Sequence, residues 1–214
     1  TLRLIKKDQG KRILDVGVGS GCLSISILKE RPFCKFDAID PSRKAIKLAK
    51  TNAKLHQLSD RIKFYKRDVD NFCNDKYDLI INRSFLHHIS KINKKKFVNN
   101  CFRILKEKGK LFCINWFIEN YTDEKEMFAA ISNHYKYRSK YTSALKNKLT
   151  TKNRDKSSFW WENMHADSDF SGGKHASRDE MKTNLSNAGF SETEIFQIAN
   201  SKKIDNPYLW GHVM

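Results

Sequence analysis

The segment Ile13-Leu14-Asp15-Val16-Gly17-Val18-Gly19-Ser20-Gly21 constrains this chain more than any other. An apolar run leads straight into three glycines at alternate positions, and an amphipathic helical pattern begins at once. Glycine loses more conformational freedom on folding than any other residue, so three together are costly in an ordinary turn. They make sense where the backbone must bend tightly and let a ligand approach to van der Waals contact. In open α/β sheets that place is the carboxyl edge of the strands. The segment therefore predicts a strand, a ligand-binding turn and a helix, in that order.

The same alternation continues downstream. From Lys11 to Trp116 short β-rich runs are followed by longer helical ones, the pattern of a parallel sheet covered by helices. Strands are expected at Arg12–Val16, Lys35–Ile39, Ile62–Tyr65, Tyr77–Asn82 and Lys110–Trp116, with helices at Ser20–Glu30, Ser42–His56 and Ile92–Lys106. The last helix runs into Lys-Glu-Lys-Gly, where lysines suit the helix dipole and Gly109 is placed to take a left-handed cap. Past Trp116 the alternation stops. A helical run from Thr122 to about Lys148 and a polar stretch follow, so 117–176 reads as a cap-like insertion within a single domain, 1–214. Ser177-Arg178-Asp179-Glu180 has the spacing of a capping box, opening a helix that Gly189 closes. Phe190–Ala199 and Tyr208–Val213 then flank Asp205-Asn206-Pro207 as the strands of a hairpin.

With 39% hydrophobic residues in 214, the chain can bury a core, and no apolar stretch approaches the ~20 residues of a membrane span. Lys and Arg number 41 against 24 acids, a formal charge of +17. That balance attracts phosphate-rich partners, unless it is only the solvated lysine surface of an AT-rich gene product. Cys22, Cys34, Cys73, Cys101 and Cys113 are dispersed and never spaced C-x-x-C, so free thiols in a reducing, cytoplasmic setting are expected. The short charged start carries no apolar secretory stretch.

Details around the glycines narrow the ligand. A dinucleotide site wants G-x-G-x-x-G with a pyrophosphate on a helix N-terminus, but here the third glycine comes one residue early. Asp15 also stands two residues before the first glycine, where a carboxylate is awkward beside a pyrophosphate and useful beside a cation. In this acid followed by G-x-G-x-G the chain resembles the class I S-adenosylmethionine-dependent methyltransferases, across Lys11–Trp116 and on to the C-terminal hairpin. The resemblance implies a Rossmann-like three-layer α/β sandwich. Its mostly parallel seven-stranded sheet would end in an antiparallel hairpin, with a helical insertion after the fifth strand.

It also implies S-adenosylmethionine as cofactor, cradled by Asp15, Gly17, Gly19 and Gly21. Asp40, ending the second strand, would accept both ribose hydroxyls, as a carboxylate can. Asp68, or Asp70 two residues on, would accept from the adenine amino group, with Val69 alongside. Asn82 opens the segment that in this family underlies the methionine part of the cofactor, and Leu86-His87-His88-Ile89 resembles the small-molecule branch.

A hydroxyl or protonated amine acceptor needs a base, and histidine has a suitable ordinary pKa. His87 and His88 are the candidates, His87 being nearer the strand end; His165 and His175 lie in a Ser/Gly/Asp-rich stretch where exposure is expected. Met164–Asp169 lacks the ligand spacing of zinc or calcium sites, so no metal is expected, and the segment around Gly172-Gly173 reads as a lid. The insertion mixes rings such as Tyr135, Trp160 and Trp161 with cations such as Lys136 and Arg138, which suits a small aromatic or lipophilic acceptor or an RNA. Because Asn82-Arg83-Ser84-Phe85 lacks an N-P-P-Y-like sequence, and no Pro-Cys nucleophile is present, a small-molecule acceptor ranks first. RNA ranks second, and a non-catalytic cofactor-binding scaffold third.

Overall fold

A computed structural model describes residues 5–6, 9–68, 76–83, 85–134, 175–197 and 209–213. Seven strands, β1 (Arg12–Val16), β2 (Lys35–Ile39), β3 (Ile62–Tyr65), β4 (Tyr77–Arg83), β5 (Leu105–Trp116), β6 (Glu194–Gln197) and β7 (Leu209–Val213), form one sheet in the order β3-β2-β1-β4-β5-β7-β6. Neighbours from β3 to β5 are parallel, whereas β7 lies antiparallel between β5 and β6. The expected hairpin is therefore present at the sheet edge.

Strand side chains alternate between two cores, as burial on both faces of a parallel sheet requires. Ile13, Leu79, Ile81 and Phe112 face one layer, together with Ile25 and Leu28 of α1 (Cys22–Glu30) and Ala49 and Ala53 of α2 (Arg43–Leu55). Leu14, Ile80, Leu111 and Cys113 face the other, together with Phe97 and Cys101 of α3 (Lys91–Ile104). A further helix, α4, spans 124–134. The fifth, α5 (Arg178–Ala188), brings Met181 and Leu185 into that second core. Ser177 caps α5 by accepting the Glu180 N–H, and Gly189 ends it at φ 103°. Of the expected run to Lys148, only residues up to 134 lie among those described.

One boundary departs from expectation. The third helix ends at Ile104, and Gly109 does not adopt a left-handed cap. Leu105 is instead extended, buried, and paired with Tyr77 as the first residue of β5. The next pairing joins Lys110 to Leu79, so Lys106–Gly109 bulges out of the ladder. Gly109 is needed there for space, since a Cβ on it would stand 2.8 Å from the Tyr77 carbonyl oxygen. Lysines near a glycine fit a cap by local rules, but burying Leu105 between the sheet and α3 outweighs them.

The strand order reverses direction at β1. From β1 the chain builds outward through β2 and β3, then crosses back to place β4 on β1's other side. In such sheets the crevice at this switch point, beyond the carboxyl ends, receives the ligand. The register puts Val16 beside Asn82 at that edge, so the glycine turn and the segment after β4 meet there.

Candidate functional site

All three loop glycines have positive φ: 74° at Gly17, 56° at Gly19 and 78° at Gly21. The turn is fastened to β2, because the N–H groups of Gly17 and Val18 both donate to the Ile39 carbonyl, at 3.0 and 3.1 Å. Asn52 of α2 holds it from the other side, its Nδ2 donating to the Ser20 carbonyl at 2.9 Å. Gly21 forms the N-cap of α1. A Cβ on Gly17 would meet the Phe85 ring at 3.0 Å, and one on Gly21 would meet Ala49 and Ile25 at 3.3 Å; at Gly19 the nearest atom is 4.0 Å away. The cradle is thus packed at its two ends and open at its middle.

Asp15, at 2% exposure, lies beneath this turn, and its carboxylate accepts the Ser24 hydroxyl of α1. Burial pushes its pKa up to about 7; the Ser24 bond pulls down and the nearby Asp40 charge pushes further up. Asp15 therefore braces strand to helix beneath the turn.

Asp40 occupies the corner after β2. Its Oδ2 accepts the Gly19 N–H at 3.0 Å and its Oδ1 the Ser42 N–H at 2.8 Å. Ser42 in turn caps α2 by accepting from the Ala45 N–H. A carboxylate offers about four acceptor positions, so two remain after these bonds. Asp68 is exposed, and with Pro41, Lys66 and Arg67 it lines a shallow depression of about 350 Å³. Val69 and Asp70 lie outside the described residues.

Asn82 is fully buried and its amide is engaged on both sides: Nδ2 donates to Cys113 Sγ at 2.9 Å, and Oδ1 accepts from Asn115 Nδ2 at 2.8 Å. Burial pushes the Cys113 thiol up to about 12 despite that bond, so this cluster carries no charge. Asn82 supports the wall of the crevice from behind. Leu86, His87 and His88 form a single 3-10 turn on that wall, with His88 exposed.

His165 lies outside the described residues, as do Met164–Asp169 and Gly172-Gly173. His175 corrects an expectation. It is 2% exposed, and its ring packs 5.1 Å from that of the fully buried His134 of α4. The bridge between Ile118 and Ser177 draws 175–177 onto the chain leaving β5, which takes this histidine out of solvent. Local polarity could not reveal a pairing across that distance in sequence. Asn52 and Asn115 likewise have partners remote along the chain, Ser20 and Phe85, although a polar residue amid the apolar run of β5 is a signal for Asn115; Ser24 bonds Asp15 only nine residues away, and nothing in the helical pattern of α1 marks it.

Among known proteins, the model of a family described as "methyltransferase domain" matches residues 7–159, more than half of the chain. The chain belongs to that family. It has the Rossmann-like fold of class I S-adenosylmethionine-dependent methyltransferases, as described above. Its relatives include the release factor glutamine methyltransferase of Dictyoglomus turgidum, 48% identical over 61 residues, 28% of this chain and 22% of that protein. The ribosomal protein L11 methyltransferase of the same organism is 36% identical over 101 residues, covering 47% and 31%. The matched segments thus span less than a third of these relatives' length.

Solved structures agree in fold. Phosphoethanolamine N-methyltransferase 2 of Haemonchus contortus, in complex with S-adenosyl-L-methionine, aligns with a TM-score of 0.61 at 16% identity over 92% of this chain and 37% of that one. The methyltransferase SibL gives 0.61 at 16% over 99% and 52%. Among the described residues of this chain no helix is long and apolar enough to cross a membrane.

Proposed function

We propose that this chain transfers a methyl group from S-adenosylmethionine to an oxygen or nitrogen atom of a small-molecule acceptor, giving S-adenosylhomocysteine. The observation that carries the reading is the Asp40 corner. Gly19 and Ser42 N–H groups fix its carboxylate at the switch-point edge and leave two acceptor positions for a ribose diol. The residues fit the cofactor elsewhere too. A glycine turn with open space at its middle residue, Gly19, lies beside Asp40, Asp68 stands at the adenine end, and Asn82 and the turn after it stand at the methionine end. A small acceptor agrees with the internal engagement of the Asn82 amide, which leaves no free amide at that position to grip a base edge.

When bound, S-adenosylmethionine supplies a methyl group already activated on a positive sulfur. The chain's task is then to orient and to exclude water. Asp40 holds the sugar, the glycine turn fixes the donor's height above β1, and the Phe85–His88 turn walls the acceptor side. His87 or His88 takes the acceptor's proton on an imidazole nitrogen.

Calorimetric titration with S-adenosylmethionine and S-adenosylhomocysteine, followed by a labelled-methyl assay against an acceptor library, tests the proposal. Binding of both and label on an organic acceptor are expected. Binding of neither overturns it, and label found only on RNA overturns the small-acceptor reading.

A further inference from the structure

The turn after β4 owes its shape to a residue thirty positions away. Asn115, fully buried in β5, accepts two successive backbone N–H groups on its Oδ1, from Phe85 at 3.0 Å and from Leu86 at 2.9 Å. Two converging N–H donors can be met only by the carbonyl end of the amide, so its NH₂ must point the other way, where it donates to Asn82 Oδ1 at 2.8 Å. The side chain therefore links the tip of β4, the turn and β5 through three hydrogen bonds. Each is buried or partly buried, where an unmet donor is costly.

The link reaches the glycine cradle. With its backbone N–H held by Asn115, Phe85 lays its ring against Gly17, close enough that a Cβ there would come within 3.0 Å of Cδ2. The ring also meets Phe97 of α3, centroids 5.3 Å apart and tilted by 53°. Phe85 thus touches both α3 and the first glycine, and its backbone is held by Asn115. The strand order puts Asp40 and Asp68, the adenosine end of the proposed site, on the β2–β3 side of the cradle, and this ring on the β4 side.

From this arrangement we infer that Asn115 is a positioning residue for the amino-acid end of the donor: acting through the Phe85 ring, it fixes Gly17 and the adjoining wall against that half of the ligand and leaves the adenosine half to Asp40. The inference rests on the donor reading under Proposed function.

Two probes separate the halves: S-adenosylhomocysteine, which carries the amino-acid part, and 5′-methylthioadenosine, which does not. By calorimetry, Asn115→Ala is expected to raise the Kd for S-adenosylhomocysteine about tenfold while leaving that for methylthioadenosine within about twofold. Asn115→Asp keeps an acceptor for both N–H groups, and Asn82 can turn its NH₂ toward it. This variant is expected to restore S-adenosylhomocysteine binding to within about threefold. A merely structural role would weaken both probes together, so equal loss on both, or no loss on either, overturns the inference. Should Asn115→Ala fail to fold, Phe85→Leu decides by the same ratio, because it removes the ring and leaves the buried amides intact; an unchanged ratio there is fatal. Wild-type protein that binds neither probe overturns the donor reading itself, a different failure from an altered protein that binds both with the wild-type ratio.

Discussion

At the β2–β3 end of the site, Asp40 is half-buried and Asp68 exposed, and the Asp40 carboxylate is held by the N–H groups of Ser42, two residues on, and of Gly19. At the β4–β5 end, Asn82 and Asn115 are wholly buried, and the turn they support is fixed by a side chain from another strand. The first end is polar and partly exposed. The second is buried and packed. A partly exposed corner can be altered with little cost to the core and should therefore report on ligand contacts, whereas the packed wall ties ligand geometry to the sheet. Gly17 is where the two meet, fastened to β2 through the Ile39 carbonyl and pressed by Phe85 from β4.

The largest effect should come from breaking that junction. Gly17→Ala places a side chain at φ 74°, which costs about 1–2 kcal/mol, and drives a Cβ to 3.0 Å from a ring that also meets Phe97. Loss of S-adenosylhomocysteine binding by a hundredfold or more is expected in calorimetry, together with a lower Tm. Near-wild-type affinity would show that the two ends are not mechanically joined.

Next in size is Asp40→Ala. Charged hydrogen-bond acceptors are worth ~1.5–3 kcal/mol, so affinity should fall about tenfold or more. The loss should be equal for S-adenosylhomocysteine and methylthioadenosine, because both carry the ribose. Loss confined to the larger probe would move Asp40 out of the adenosine end and dissolve the comparison.

The same division explains what could be read in advance. The strands β1, β2 and β3, the glycine turn and the Asp40 corner follow from periodicities and punctuation within some ten residues, and their bounds match those expected. The α5 cap at Ser177 and stop at Gly189 are local in the same sense. Lys-Glu-Lys-Gly misled because Leu105 answers to Tyr77 across the sheet. His175 misled because its neighbour is His134, forty-odd residues earlier. Asn115 escaped because its partners lie on another strand. What the sequence concealed in these three cases is a partner distant along the chain.

A smaller effect is expected from pH, through Asp15. Its folded pKa of about 7 exceeds the ordinary value of 3.8, so between these values the folded state keeps a proton that the unfolded chain has lost. Stability from this group is therefore greatest at low pH, falls as pH rises from about 4 to 7, and is level above. Asp15→Asn should flatten that part of a Tm-versus-pH curve. Ionised Asp15 favours a cationic ligand, so the affinity for S-adenosylmethionine relative to its uncharged-sulfur product should rise several-fold between pH 6 and 8. A ratio independent of pH would show that burial isolates Asp15 from the cradle.

The smallest change sharpens the comparison most. Gly19 has φ 56°, inside the left-handed region that an alanine can occupy, and a Cβ there would meet only the Gly17 carbonyl oxygen, at 4.0 Å. Gly19→Ala therefore adds backbone strain of about the same kind as Gly17→Ala without the collision with Phe85. It keeps the N–H that Asp40 accepts. A Tm lower by a few degrees, with S-adenosylhomocysteine affinity within about threefold of wild type, is expected. If Gly19→Ala instead matches Gly17→Ala in calorimetry, backbone strain alone accounts for both. The ring contact that joins the two ends would then have no measurable consequence for the ligand.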